Sequence, residues 1–294
     1  MAIIKKALVL VITFVFMGSG LVAAIEEPVN LTSGEITGTL VDDGVQAFLG
    51  IPYAAAPVGD LRWKPPQQAI PWKGIKVTDR HAPGCIQPGA LYMSEDCLFL
   101  NIWTKADDNE KLPVMVWIHG GGWAFGSNSV GTYDGAAFAN NGVVLVSVNY
   151  RMNSFGFMAH PALSAESENG VSGNYAILDH IAALEWVQDN IEEFGGDKNN
   201  VTIFGESAGG ASIYSLLATP MAKSLFHKAI SESTWINADN VIDLKNANGF
   251  SESAEVLGER AIAAALDIAQ VTGPDILSKM RSLSAQEILD LEHG

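Results

Sequence analysis

Cysteine is scarce in this 294-residue chain, which holds only Cys85 and Cys97. Two thiols cannot build the dense disulfide framework of a small secreted scaffold. No histidine stands near them in a zinc-ligand pattern, so no metal is expected. Basic residues are few as well: 17 Lys and Arg face 33 Asp and Glu, for a formal charge of −16. Nucleic acid and anionic membrane surfaces repel such a chain and are excluded as partners. Solubility accounts for most of the acidity, and the charge does not name a substrate. After residue 24 no apolar run is long enough to span a bilayer. Linkers rich in Pro or Ser, internal repeats and low-complexity tracts are also missing, which leaves a single catalytic-size domain as the simplest organisation.

What is present is a core. With 48% hydrophobic and 17% charged residues, the chain has ample apolar surface to bury. Residues 1–24 read as a secretory signal peptide: Lys5 and Lys6 precede the apolar stretch Ala7 to Gly20, and Val22-Ala23-Ala24 offers small residues for cleavage before Ile25. The alternative, an uncleaved anchor, needs a longer span. A secreted or periplasmic protein is therefore expected, and cleavage takes the formal charge to −18 by removing two lysines.

Along residues 25–294 the elements alternate in the manner of an α/β fold. Ile36 to Leu40 and Val45 to Ile51, joined by Asp42-Asp43-Gly44, read as a hairpin. Leu98 to Thr104, Val114 to His119, Val143 to Val148, Val201 to Phe204 and Ala229 to Glu232 read as strands. Asn174 to Glu193 reads as a helix with Ile177, Leu178, Ile181, Leu184 and Ile191 on one face, and Ser207 to Ala218 as another. Ala254 to Ile268 and Pro274 to Leu283 are helical in composition, and Ser284 caps a short helix containing Glu287.

Two motifs carry chemistry. Gly205-Glu206-Ser207-Ala208-Gly209 follows the strand Val201-Thr202-Ile203-Phe204 and is a Gly-x-Ser-x-Gly nucleophile elbow. Its glycines leave room for a turn that holds Ser207 Oγ proud of the sheet. The pentapeptide alone turns up by chance in roughly one chain in ten of this length, so its context decides. That context includes His119-Gly120-Gly121-Gly122-Trp123 after the strand Val114 to Ile118, bare backbone suited to the second half of an oxyanion hole. A flexible glycine turn is the plain alternative, and the pairing of the two motifs argues against it.

These blocks, together with Glu95-Asp96-Cys97-Leu98-Phe99-Leu100-Asn101, Asn149-Tyr150-Arg151, Gly173-Asn174-Tyr175-Ala176-Ile177-Leu178-Asp179 and Phe194-Gly195-Gly196-Asp197, resemble the type-B carboxylesterases, a family that includes the cholinesterases. The resemblance covers residues 30 to 294. It implies an α/β-hydrolase fold, a mixed and mostly parallel sheet with helices on both faces, and a carboxylic ester hydrolase that works through a serine acyl-enzyme without cofactor. Ser207 would be the nucleophile, and Gly121, Gly122 and Ala208 would donate to the oxyanion. Glu206 resembles the family's acidic supporting residue, its alternative being a solvated or capping carboxylate. Trp123 stands where family members line the pocket, whereas Phe155 and Phe157 are assigned to the core. Cys85 and Cys97 would form a short disulfide loop worth about 3 kcal/mol, against the alternative of free thiols. The substrate implied is a small-molecule ester. A non-catalytic relative of the adhesion type is the other class, and the intact Ser207 argues against it.

The chain departs from the family in one respect. An α/β-hydrolase triad runs Ser, Asp/Glu, His, and only His227 and His293 follow Ser207. His227 sits in the lead-in to a strand and His293 is the penultimate residue. The expectation is that 25–294 is the N-terminal part of a single α/β-hydrolase domain, inactive alone, its C-terminal part missing. A compact hydrolase using His293 with Asp239 or Asp275 is the rival reading.

Overall fold

The computed structural model describes residues 24–107, 110–234, 241–248, 251–268 and 271–291. The expected export signal, apart from Ala24, and the candidates Asp239 and His293 lie outside the described residues. In chain order the strands are β1 (Val29–Leu31), β2 (Gly34–Thr37), β3 (Thr39–Leu40), β4 (Gln46–Pro52), β5 (Ile75–Val77) and β6 (Gly84–Cys85). They continue with β7 (Met93–Ser94), β8 (Phe99–Thr104), β9 (Leu112–Ile118), β10 (Val144–Val148), β11 (Gly196–Glu206) and β12 (Lys228–Glu232). The helices are α1 (Ala136–Asn140), α2 (Asn153–Phe157), α3 (Pro161–Glu166), α4 (Tyr175–Asn190), α5 (Ala208–Ala218), α6 (Ala254–Leu266), α7 (Ile276–Ser282) and α8 (Ala285–Asp290).

A seven-stranded sheet in the order β12-β11-β9-β10-β8-β4-β3 organises the chain. β10, β9, β11 and β12 run parallel, while β8, β4 and β3 pair antiparallel. Strand period explains how both faces are covered. Val114, Val116 and Ile118 of β9 point into the main core with Ile181, Leu184 and Val187 of α4 and Ile213 and Leu216 of α5. Met115 and Trp117 point the other way, against the cluster that holds Trp103, Phe204 and Ala139 of α1. All five residues of β10 are buried, as befits an interior strand buried on both faces.

The expected hairpin forms, but it is interrupted. Gly38 has no room for a side chain, since a Cβ there would lie 2.6 Å from Ala47 O and 2.7 Å from the Phe48 ring. The chain crosses sheets at this point, so β2 pairs with β1 and β5 while β3 pairs with β4. The helix expected to reach Glu193 ends at Asn190 and gives way to a 3₁₀ turn over Ile191–Phe194. α4 is also buried on more than one face, because Tyr175 and Leu178 pack into a second core under α6, α7 and α8.

That helical layer has its own apolar centre, formed by Ile262, Ile276, Met280 and Ile288 with Trp63, Phe155 and Leu163. α8 starts at Ser284 with the expected capping box to Glu287. Arg62 ties the layer to the sheet. Its guanidinium meets Glu95 at 2.5 Å and donates to the carbonyls of Arg281 and Leu283 at 2.9 and 2.7 Å. Arg281 answers with a bond from Nε to Arg62 O at 3.1 Å. Glu95 sits inside the loop closed by the Cys85–Cys97 disulfide, so the bridge, Glu95, Arg62 and the helices form one chain of contacts.

A second ion pair is fully buried. Arg151 meets Asp179 at 2.7 Å, with side chains 4% and 0% exposed, and Asp179 also accepts from Arg151 N at 3.0 Å. This explains why Arg151 and Asp179 end two of the sequence blocks noted above. Removing one partner of such a pair strands the other charge in the core. Asp179→Asn should lower the unfolding free energy by about 3–5 kcal/mol, read from urea denaturation. A loss within error of zero would show that water reaches the guanidinium.

Candidate active site

The sharp turn at the C-terminal end of β11 sets the geometry. Ser207 adopts φ 55°, ψ −119°, a conformation costly for a residue with a Cβ. Its N–H donates to Glu232 O of β12 at 2.9 Å, and its carbonyl accepts from Ala211 N at 2.9 Å in the first turn of α5. The hydroxyl makes no capping bond to the helix it starts, which leaves Oγ unengaged among the described residues. Glycines flank it because the backbone is crowded. A Cβ on Gly205 would lie 2.7 Å from Ile118 O, and one on Gly209 would overlap that same carbonyl.

The glycine loop meets the elbow directly. A Cβ on Gly120 would stand 3.1 Å from Ser207 Cβ and 2.8 Å from Glu206 Oε2. Gly121 turns at φ 107°, a region that favours glycine, and a side chain there would strike Phe125 O. Ala124 N and Phe125 N donate back to Gly121 O at 3.0 and 3.1 Å, closing the loop. The N–H groups of Gly121, Gly122 and Ala208 meet no acceptor among the described residues. Glu206 is half-buried between Gly120 and β12, a placement suited to supporting the loop.

Beneath the loop lies a buried stack that sequence inspection left without a role. His119 packs face to face on Tyr150 with centroids 4.4 Å apart, and His180 of α4 meets the edge of Tyr150, also at 4.4 Å. Tyr150 OH donates to His119 O at 2.7 Å, and His119 Nδ1 lies 2.8 Å from Gly120 O. A carbonyl only accepts, so Nδ1 carries the proton and His119 is neutral in its Nδ1–H form. Burial pushes His119 down to about 4. Burial, reinforced by neighbouring His119, pushes His180 down to about 3. Two successive carbonyls at the start of the loop are thus held by side chains.

A cavity of about 830 Å³ opens from the loop. Gly122 and Trp123 border one end, Phe157 and Met158 the floor, and Ala261 and Leu291 the helical wall. Trp123 is among its lining residues, and its Nε1 donates to Ser212 Oγ at 3.0 Å. Phe155 is buried in the second core, and Phe157 packs against the main core while also lining the cavity, tilted against Trp123 at 5.6 Å.

Two further candidates, His227 and Asp275, are engaged elsewhere. His227 is pinned at the opposite end of β11, where Nδ1 accepts from Val201 N at 3.2 Å. Six residues of extended strand separate Val201 from Ser207, roughly 20 Å. Asp275 pairs with Lys279 at 2.8 Å at the start of α7.

A mixed sheet with a serine turn between a parallel strand and a helix defines an α/β-hydrolase. The chain belongs to the carboxylesterase family, whose model matches residues 26–294. It is 49% identical over 233 residues to the fumonisin B1 esterase of Sphingopyxis macrogoltabida, which covers 76% of this chain and 43% of that protein. It is 45% identical over 230 residues to liver carboxylesterase 1F of Rattus norvegicus, covering 70% and 40%. Among solved structures, the carboxylesterase EST55 of Geobacillus stearothermophilus superposes with a TM-score of 0.77 at 40% identity, over 90% of this chain and 52% of that one. A PNB esterase superposes with a TM-score of 0.78 at 38% identity. The chain therefore spans about half the length of these relatives.

The depressed histidines make a stability prediction. An unfolded histidine binds its proton near 6.5, while the buried rings resist protonation until about 4 and 3. The unfolded state thus holds more protons in between, so stability is full above 6.5 and falls as the pH drops towards 4. His180→Gln should flatten that decline in denaturant titrations run from pH 7 to pH 4. An unchanged slope would mean that His180 is protonated in the folded protein.

Proposed function

We propose that the chain carries the nucleophile and oxyanion hole of a secreted serine carboxylesterase acting on small-molecule esters. The observation on which this rests is that the glycine loop meets the elbow at Gly120, and that among the described residues Ser207 Oγ and the N–H groups of Gly121, Gly122 and Ala208 have no partner. Ser207 Oγ attacks the ester carbonyl and gives its proton to a histidine. The carbonyl oxygen, now an anion, is held by the N–H groups of Gly121, Gly122 and Ala208, each such donor being worth about 3–4 kcal/mol. The alcohol leaves with the proton, and water then attacks the acyl-serine to release the acid. Glu206 supports the loop from the side of Gly120. The family membership and the esterase names of the relatives support the reaction class.

The base is assigned to a histidine outside the described residues. Of the described histidines, His119, His160 and His180 are buried, His227 is spent on Val201, and His81 lies beside Trp103. The disulfide supports an oxidising compartment. Among the described residues no helix is long and apolar enough to cross a membrane.

Ser207→Ala should abolish hydrolysis of p-nitrophenyl butyrate by the complete protein, together with labelling by a fluorophosphonate probe. Retained hydrolysis would remove Ser207 from the mechanism. A separate assay concerns residues 25–294 alone, where negligible turnover is expected even with Ser207 in place. Brisk turnover would make His293 the base.

A further inference from the structure

We propose that His119 is a positioning residue of the oxyanion hole, whose Nδ1–H holds the one donor-bearing peptide unit, Gly120–Gly121, that backbone bonds leave loose. This rests on the serine esterase reading above. Each of the three donor N–H groups shares a peptide unit with a carbonyl. In a trans peptide the two point in opposite directions, so a hydrogen bond accepted by the carbonyl aims the N–H on the far side. All three units are trans. Ala208 N–H shares its unit with Ser207 O, which Ala211 N holds at 2.9 Å in α5. Gly122 N–H shares its unit with Gly121 O, which Ala124 N and Phe125 N hold at 3.0 and 3.1 Å. Gly121 N–H shares its unit with Gly120 O. Among the described residues that carbonyl meets no backbone donor, and His119 Nδ1 at 2.8 Å is what holds it.

The unit needs an anchor because it lies between two glycines, which place no side chain in the way of its rotation. The imidazole that anchors it is itself held. Tyr150 stacks on the ring at 4.4 Å and donates from its hydroxyl to His119 O at 2.7 Å, while His180 packs on the edge of Tyr150. Gly126 closes over the bond: a Cβ there would lie 2.5 Å from Nδ1 and 2.9 Å from Gly120 O. With the residue 1% exposed, water does not compete for that carbonyl. The other ring nitrogen, Nε2, is buried and meets no partner among the described residues. A proton there would be stranded, so it stays on Nδ1, where an acceptor waits. A bond accepted by Gly120 O also polarises the peptide and strengthens Gly121 N–H as a donor.

The test compares His119→Asn with His119→Leu in the complete protein. Both side chains branch at Cγ as histidine does, but only asparagine can place an N–H where Nδ1 stands. His119→Leu should lower kcat for p-nitrophenyl butyrate by about tenfold to a hundredfold, since deleting a whole donor costs about 10²–10³. KM should move by less than about threefold, because the bond acts in the transition state. His119→Asn should bring kcat back to within about threefold of the parent. A purely structural role predicts no such rescue, since asparagine fills no more of the core than leucine. A folded asparagine variant as slow as the leucine one, or a leucine variant with unchanged kcat, would overturn the proposal. If neither variant folds, nitrogen NMR of the imidazole in the parent protein decides. A proton on Nδ1 is expected, and one on Nε2 would overturn the assignment. Retained hydrolysis by Ser207→Ala would instead sink the esterase reading, while the Nδ1 proton would still report the bond to Gly120.

Discussion

Everything at the site depends on one steric constraint, the close approach of the elbow to the end of β9. Gly205 and Gly209 both press on Ile118 O, and Gly120 fits against the Cβ of Ser207 and the carboxylate of Glu206. Any side chain at these positions would push the serine and the loop apart. Contact between the two motifs therefore comes from parallel neighbours, since β11 pairs with β9 residue by residue from Val201 to Gly205. The strained Ser207 backbone is held by Glu232 O on one side and by α5 on the other. Local strain of this kind persists only where surrounding contacts over-determine it, and here they do.

Electrostatics below the loop follow a different logic from those around it. The strong charges are removed in pairs, Arg151 with Asp179 in the core and Arg62 with Glu95 at the helical layer. Between the loop and α4 sit the neutral rings of His119, Tyr150 and His180. They fix the carbonyls of His119 and Gly120 without adding a charge beneath the loop. The arrangement favours geometry over field, which suits backbone donors that must stay aimed at one point.

Much of this was legible in the chain itself. Apolar runs announced β8, β9, β10 and β11, and the glycine spacing announced the elbow and the loop, because each motif stands directly after a buried strand. The capping box at Ser284 was readable from two residues. Other features left no local trace. β1, β5, β6 and β7 are two or three residues long, too short for an apolar run or an alternation to mark them. The double burial of α4 depends on α6 to α8, far along the chain, so a one-sided face was the natural expectation. Phe157 lines the cavity and Phe155 lies in the second core, although both sit on the single short helix α2. Which of them lines the cavity is settled by helices that lie about a hundred residues downstream.

The division of the molecule into a sheet and a helical layer bears on how selectivity is built. The elbow and the glycine loop follow parallel strands whose register cannot slip without exposing the core face. Part of the cavity wall belongs to a layer whose apolar centre it shares with Trp63, Phe155, Leu163 and Tyr175, and Arg62 and Arg281 add polar ties. The elbow and the cavity are thereby set by different packing units in part: Trp123 and Phe157 belong to the sheet side and Ala261 and Leu291 to the helices, and the second core couples the two.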